Sequence, residues 1–539
     1  MTWNFADIWE GIASTAGDEP ALLHDDRCVS WTDFDRRSNA LARYLIESGA
    51  GPGDKVAVYS YNRPEWLEGL AGIFKARCVP VNVNYRYRDE ELAYILENSD
   101  AVAILFEAGF ARSVDALRGR LPLLATLIEL ADGEPSSSWA TAYETVVSGC
   151  CEPLGLQRSA DDLLFMYTGG TTGVPKGVMW RQEDLWQTLG GGGDLVSGSN
   201  RPRDIAEHLD RLRAAGTGPR LLPACPLMHG TGQFTAIHAL AMGGSIVTLP
   251  SHRFDAHELW EQVESKSVNI ITIVGDVFAR PMIKALEERS YKLDSLQMII
   301  SSGVMWTPET KEQLLDHHPA MALVDSFGSS EATGLGVSVQ TADAKTETAR
   351  FRVGEKVKVI TDNNRVVRPG SGERGRVARC GPIPLGYYKD PEKTAKTFPV
   401  VDGVRYAMPG DYATVLEDGT LVLLGRGSQC INTGGEKVFP EEVEEVLKRF
   451  PLIEDAAVVG LPDDDWGQAV TALVQTSNGD ELEEGAVRDH VRGALANFKV
   501  PKRVFSVASL GRSPAGKIDY KAVTDRALEL CSAAPESSD

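Results

Sequence analysis

Residues 167–177 read YTGGTTGVPKG, with four glycines and three threonines gathered around Lys176. Glycine fills no core and costs conformational entropy to fix, so such a run needs another purpose. Successive amides without side chains in the way form a concave nest for phosphate oxygens. The hydroxyls of Thr168, Thr171 and Thr172 add donors, Gly169 and Gly170 open the backbone, and Lys176 adds a positive charge. The chemistry is polyphosphate binding. The pattern differs from the common nucleotide-triphosphatase loop, because Pro175 precedes the lysine and Gly177 follows it where that loop needs Ser or Thr. A second glycine pattern, GSGERG at 370–375, runs into the strand-like RVARC and so lacks the helix a dinucleotide site requires.

These residues need elements to hold them. Strand-like DLLFMY leads into the loop, and elsewhere strands and helices alternate. A helix capped at Thr32 runs to Gly49, KVAVYSY reads as a buried strand, Pro64 opens a helix, and CVPVNVN is the next strand. The alternation returns with NIITIV at 269–274, a helix near Arg280–Glu288, and LQMIISSG at 296–303. This predicts an α/β fold with parallel-rich sheets flanked by helices, where ligands gather at the strand ends. Gly190–Pro219 breaks the pattern and reads as a surface insertion, and the last eight residues as a frayed tail.

The 539 residues exceed what one core organises, and composition shifts near 425–435. We place a domain junction there, which gives a large N-terminal domain, 1–427, and a small C-terminal α+β domain, 428–539. A net charge of −21 disfavours nucleic acid as a partner. The first twenty residues lack the basic and apolar regions of a signal peptide, and no run of about 18 apolar residues occurs. The eight cysteines are scattered without CxxC spacing. Together these features predict a cytoplasmic protein without a membrane span.

The loop and four further motifs, in order, resemble the adenylate-forming superfamily, which includes acyl-CoA synthetases, luciferases and peptide-synthetase adenylation domains. SFGSSE at 326–331 resembles its aromatic-Gly-x-Thr-Glu motif and PGDYA at 409–413 its ribose-binding Gly-Asp. GRGSQCINTGGEKVFPEEVE at 425–444 resembles the hinge segment, and RSPAGKIDY at 512–520 the catalytic-lysine loop. The resemblance implies that a carboxylic acid is joined to AMP from ATP and the acyl group then passes to coenzyme A. It also assigns roles by position. Asp411 binds the ribose; Arg426 reaches the ribose or α-phosphate. Glu331 holds Mg²⁺ with the Thr168 hydroxyl as second ligand. Phe327 stacks on adenine, beside Ser302, Gly303, Val304, Asp325, Ser326, Gly328 and Ser330. His229 gates an acyl pocket lined by Met228–Phe234 and Val274–Asp276. Gly434, Gly435 and Glu436 lie on the thiolation face. Lys517 is the catalytic lysine, suited to offset the repulsion between two anions about to bond.

The sequence departs from the family at Gly169, Ser330, Ser428, Gln429 and Asn432; Ser428 and Gln429 make a usually charged hinge neutral. The wording of the motifs looks most like actinobacterial acyl-CoA synthetases for long, branched or steroid-derived acids. An acyl-AMP ligase serving a separate carrier protein and a catalytically impaired nucleotide-binding regulator stay open as alternatives. So does the oligomeric state, a homodimer included.

Overall fold

The computed structural model describes residues 3–87, 89–131, 137–168, 175–193, 200–216, 218–304, 306–347, 349–433, 436–463, 466–476, 482–513 and 516–533. The chain forms two compact units. One comprises 1–346 with 379–407, and the other 347–378 with 408–539.

The first unit contains two sheets, each with eight strands among the described residues. In one, Arg220–Pro223, Ile270–Ile273, Met298–Ser302 and Ala322–Phe327 run parallel, and Gly336–Gln340 closes that edge antiparallel. In the other, Val79–Asn82, Lys55–Tyr59, Ala101–Glu107 and Thr126–Leu130 run parallel. Leu163–Thr168 pairs parallel with Val79–Asn82 and antiparallel with Lys176–Arg181. The reason is compositional: strands such as KVAVY bury Val56, Ala57, Val58 and Tyr59 on both faces, as parallel strands between helices must.

Three local expectations change. The helix Trp31–Glu47 is capped by Ser30, not Thr32, because the Ser30 hydroxyl accepts from the Asp33 amide at 3.1 Å. The helix Asp276–Glu288 begins a turn before Arg280 and carries Pro281 in its first two turns. Gly190–Pro219 is not simply a surface insertion. It contains the helix Ile205–Ala215, capped by Asp204, whose carboxylate accepts from the Glu207 amide at 2.8 Å. His208 is buried in it, its Nε2 2.8 Å from the Ala241 carbonyl and its ring edge-on to Trp186. The spacing of Ile205, His208, Leu209 and Leu212 is helical, and it was outweighed by the neighbouring glycines.

The second unit has a sheet in which Arg350–Phe351, Leu421–Arg426 and Asp411–Val415 pair antiparallel, continued by the start of Gly375–Cys380. GSGERG leads into that strand, so it is no dinucleotide loop. Beyond it lies a three-stranded sheet of Ile453–Asp463, Gly467–Thr476 and Arg503–Val507. Period-two alternation sorts the faces of its first strand. Ala456 and Val458 pack under the helices Pro440–Lys448 and Glu484–Ala494. Ala457 and Val459 pack under Tyr520–Ala533. Residues 534–539 of the expected tail lie outside the described residues. All eight cysteines are free thiols. No described helix is long and apolar enough to cross a membrane.

Candidate active site

In the first unit the phosphate loop joins two antiparallel strands, with Thr168 opposite Lys176. Gly169, Gly170, Thr171 and Thr172 lie outside the described residues. The Lys176 ammonium pairs with Asp390, whose carboxylate also caps the helix Pro391–Thr397 through the Lys393 amide at 2.8 Å. That ion pair holds the Asp390 carboxyl below its ordinary range.

Asn82 ties this strand to the loop before His229. Its amide nitrogen donates to the Tyr167 carbonyl at 2.9 Å and to the Met228 carbonyl at 2.6 Å, and its oxygen accepts from the Tyr167 amide at 2.6 Å. His229 is the N-cap residue of the helix Gly230–Ala241. The small residues here permit close approach: a Cβ at Gly230 would lie 3.6 Å from the Ser330 hydroxyl. Gly303, at φ +95°, ends the strand Met298–Ser302, and its Cβ would lie 3.8 Å from Val274 and 3.9 Å from the Thr231 hydroxyl. Gly275 donates its amide to the Ser301 hydroxyl at 2.9 Å. Ser302 is the register partner of Ser326. The acyl-loop residues, the strand end at Gly303 and the SFGSSE loop are therefore neighbours in this unit, and Val304 follows directly on Gly303.

The SFGSSE loop is braced from several sides. Phe327 ends the strand Ala322–Phe327 almost buried, and a Cβ at Gly328 would lie 3.2 Å from the Ala332 carbonyl. The Trp180 indole donates to the Ser330 carbonyl at 2.9 Å. Tyr387 donates its hydroxyl to Glu331 Oε1 at 2.8 Å. Asp325 pairs with Lys311, and burial pushes its carboxyl up from the usual range although the ammonium opposes this. Arg379 donates to the Gly334 carbonyl at 2.5 Å.

In the second unit Asp411 and Arg426 are opposite each other on paired strands, with Arg426 Nε 3.3 Å from Asp411 Oδ1. Asp411 is 6% exposed, so its carboxylate is a directed acceptor and not a solvated surface charge. Gly410, at φ +109°, makes the turn before it and accepts from the Gly427 amide at 2.9 Å. Ser428 and Gln429 fall in the short helix Gly427–Gln429. The strands Ile431–Thr433 and Glu436–Val438 follow as a hairpin; Gly434 and Gly435 between them lie outside the described residues.

Lys517 is exposed on a turn whose backbone is fixed twice. Ser513 donates its amide to the Lys517 carbonyl at 2.8 Å, and the Ser513 hydroxyl accepts from the Lys517 amide at 3.1 Å. Arg512, paired with Asp455, donates to the Gly516 carbonyl at 2.8 Å.

Each unit thus holds a set of groups suited to an anionic nucleotide. The sequence pattern of the AMP-binding enzyme matches residues 9–388, and that of the AMP-binding enzyme C-terminal domain matches residues 442–517. The chain belongs to the AMP-binding enzyme family. It is 40% identical over 540 residues to the 3-oxocholest-4-en-26-oate–CoA ligase of Rhodococcus rhodochrous, covering 98% of this chain and 96% of that one. It is 40% identical over 526 residues to the medium/long-chain-fatty-acid–CoA/3-oxocholest-4-en-26-oate–CoA ligase of Mycobacterium tuberculosis, covering 96% and 95%. The fold is shared with ATP-bound MatB from Rhodopseudomonas palustris, at a TM-score of 0.81 and 24% identity over 97% of this chain and 99% of that one.

Tyr387, Asp390, Asn82, Trp180 and Lys311 were missed in the sequence. Tyr387 and Asp390 stand more than fifty residues from the motifs they touch, so no local spacing reveals them.

Proposed function

We propose that this protein is an AMP-forming acid–CoA ligase for a medium- or long-chain, branched or steroid side-chain carboxylate. What carries the reading is the 40% identity across 98% of the chain to a ligase named for a steroid side-chain acid. The five motifs supply matching chemistry.

In the first step a substrate carboxylate oxygen attacks the α-phosphorus of ATP, and pyrophosphate leaves. Asp411 accepts from the ribose hydroxyls while Arg426 holds the ribose or α-phosphate. Phe327 covers the adenine, with Ser302, Gly303 and Val304 at its edge. Lys517 places its ammonium between the two anions. In the second step the thiol of coenzyme A attacks the acyl carbonyl and AMP leaves, with Gly434, Gly435 and Glu436 beside the pantetheine. His229 borders the acyl pocket.

The donor set near Glu331 suits Mg²⁺. One carboxylate, oriented by Tyr387, and the Thr168 hydroxyl are hard oxygen donors of the kind this ion takes alongside nucleotide phosphates. The chemistry such an ion would supply, held by Glu331 and Thr168, is neutralisation of phosphate charge. We further propose a functional boundary at 427/428, inside the compact unit that runs on from 408, with 428–430 as the hinge on which the small domain turns between the two steps.

A panel of medium-chain, long-chain, aromatic and steroid acids, assayed for CoA-dependent AMP release, tests this reading. Steroid or long-chain acids turning over at the highest kcat/KM support it. Acid-dependent ATP–pyrophosphate exchange without CoA consumption would instead favour an acyl-AMP ligase serving a carrier protein. The neutral hinge at Ser428 and Gln429 favours a regulator without catalysis, and any acid-dependent exchange removes that alternative.

A further inference from the structure

Arg426 is held from behind by a carboxyl group to which nothing above assigns a role. Glu441, in the first turn of the helix Pro440–Lys448, accepts from the Arg426 backbone amide through Oε1 at 3.2 Å. Its other oxygen, Oε2, is buried and has no hydrogen-bond partner. It lies so close to Gly425 that a Cβ there would collide with it. Gly425 also adopts φ +130°, so a side chain is excluded twice at this position. The helix therefore reaches the end of the ribose strand through one carboxyl group.

The charged surroundings are mostly anionic. Asp411 faces Glu441 from the neighbouring strand, Glu444 lies one turn along the same helix, and Arg426 offers its backbone while its guanidinium is turned to Asp411. Tyr520, from the C-terminal helix, donates to Glu444 at 3.0 Å and also faces Glu441, while Arg512 and Lys448 face Glu444. No described cation is paired with Glu441. A buried, unpaired carboxylate is costly, and protonation removes the cost.

We infer that Glu441 is a positioning residue for nucleotide binding: as a neutral carboxyl it fixes the Arg426 backbone and leaves the guanidinium to Asp411, and as a carboxylate it disturbs both. Burial, with Glu444 and Asp411 adding to it, pushes its carboxyl up to about 7, so the two forms exchange near neutral pH. Ionised, Glu441 presents Arg426 with a second anion in competition with Asp411 and draws water to the strand end. Its Oε2 has no donor to compensate. This rests on the ribose reading of Asp411 and Arg426.

The test is the pH dependence of the KM for ATP in acid-dependent ATP–pyrophosphate exchange, from pH 6 to 8.5, in the full-length protein. ATP and other groups titrate in every variant, so the difference between profiles is what counts. The wild type is expected to show a KM that rises about fivefold with an inflection near 7, beyond the change seen in Glu441→Gln. Glu441→Gln keeps the acceptor for the Arg426 amide without the charge and is expected to hold the low-pH KM throughout, with kcat little changed. Glu441→Ala should raise KM at every pH. A wild-type profile retained by Glu441→Gln overturns the proposal. Asp411→Asn checks the underlying reading separately: unchanged KM there removes the ribose role, whatever Glu441 does. Thermal melts at pH 6 identify any variant that fails to fold, in which case Glu441→Asp, which keeps the acid but draws it back from the Arg426 amide, replaces it and should raise KM; an unchanged KM there overturns the proposal.

Discussion

The Tyr387 hydroxyl lies 2.8 Å from Glu331 Oε1, joining residues 56 positions apart in the chain. The phenol donates to one carboxylate oxygen and so favours one orientation of the carboxylate, which the proposed Mg²⁺ role of Glu331 needs. A hydrogen bond to a charged group is worth about 1.5–3 kcal/mol. Tyr387→Phe is therefore expected to raise the Mg²⁺ concentration for half-maximal pyrophosphate exchange by about tenfold, with little change in the KM for the acid. An unchanged Mg²⁺ titration would remove Glu331 from the proposed metal site.

Lys517 stands on a turn held by Ser513 and Arg512, so replacing its side chain leaves the backbone anchored. Lys517→Ala is expected to slow acyl-adenylate formation roughly 10²–10³-fold, the range for loss of one preorganised electrostatic donor. Thioester formation from supplied acyl-adenylate should continue. Single-turnover assays of the two half-reactions separate these outcomes; an unchanged adenylation rate contradicts the assigned role.

Gln429 closes the short helix Gly427–Gln429 within the proposed hinge. Proline locks φ, so Gln429→Pro should restrict rotation there. The expected result is loss of thioester formation with acyl-adenylate formation spared, read by the same paired assays. Survival of both half-reactions would place the hinge elsewhere.

Glu441 also predicts a stability change. Its carboxyl is raised from an ordinary value of 4.5 to about 7 in the fold. The unfolded chain therefore releases this proton first as pH rises. The stabilising contribution is complete below pH 4.5 and is lost as pH climbs through 7, at most about 3 kcal/mol. Glu441→Gln should melt close to wild type at pH 5 and above it at pH 8. Equal differences at the two pH values would show that the carboxyl titrates elsewhere.

Much of this protein was legible in the sequence because the information is local. The alternating strands and helices declared a parallel α/β core, since a strand buried on both faces must be apolar throughout, as Val56–Tyr59 is. The motifs at 167–177, 326–331, 409–413, 425–444 and 512–520 are contiguous, so each could be recognised whole. The helix Ile205–Ala215 was lost because flanking glycines suggested a loop, although burial of His208 and the Asp204 cap decide otherwise.

The tertiary structure alone decided which side chains discipline those motifs. Tyr387 on Glu331, Asp390 on Lys176, Asn82 between Tyr167 and Met228, and Glu441 behind Arg426 join residues that are distant in the chain or separated by a turn of irregular path. A hydrogen bond depends on distance and direction in space, and spacing along the chain encodes neither once the partners leave a common helix or strand. Residue type told what chemistry was available; packing determined which carboxylates are paired, which are buried alone, and hence which of them can change charge near neutral pH.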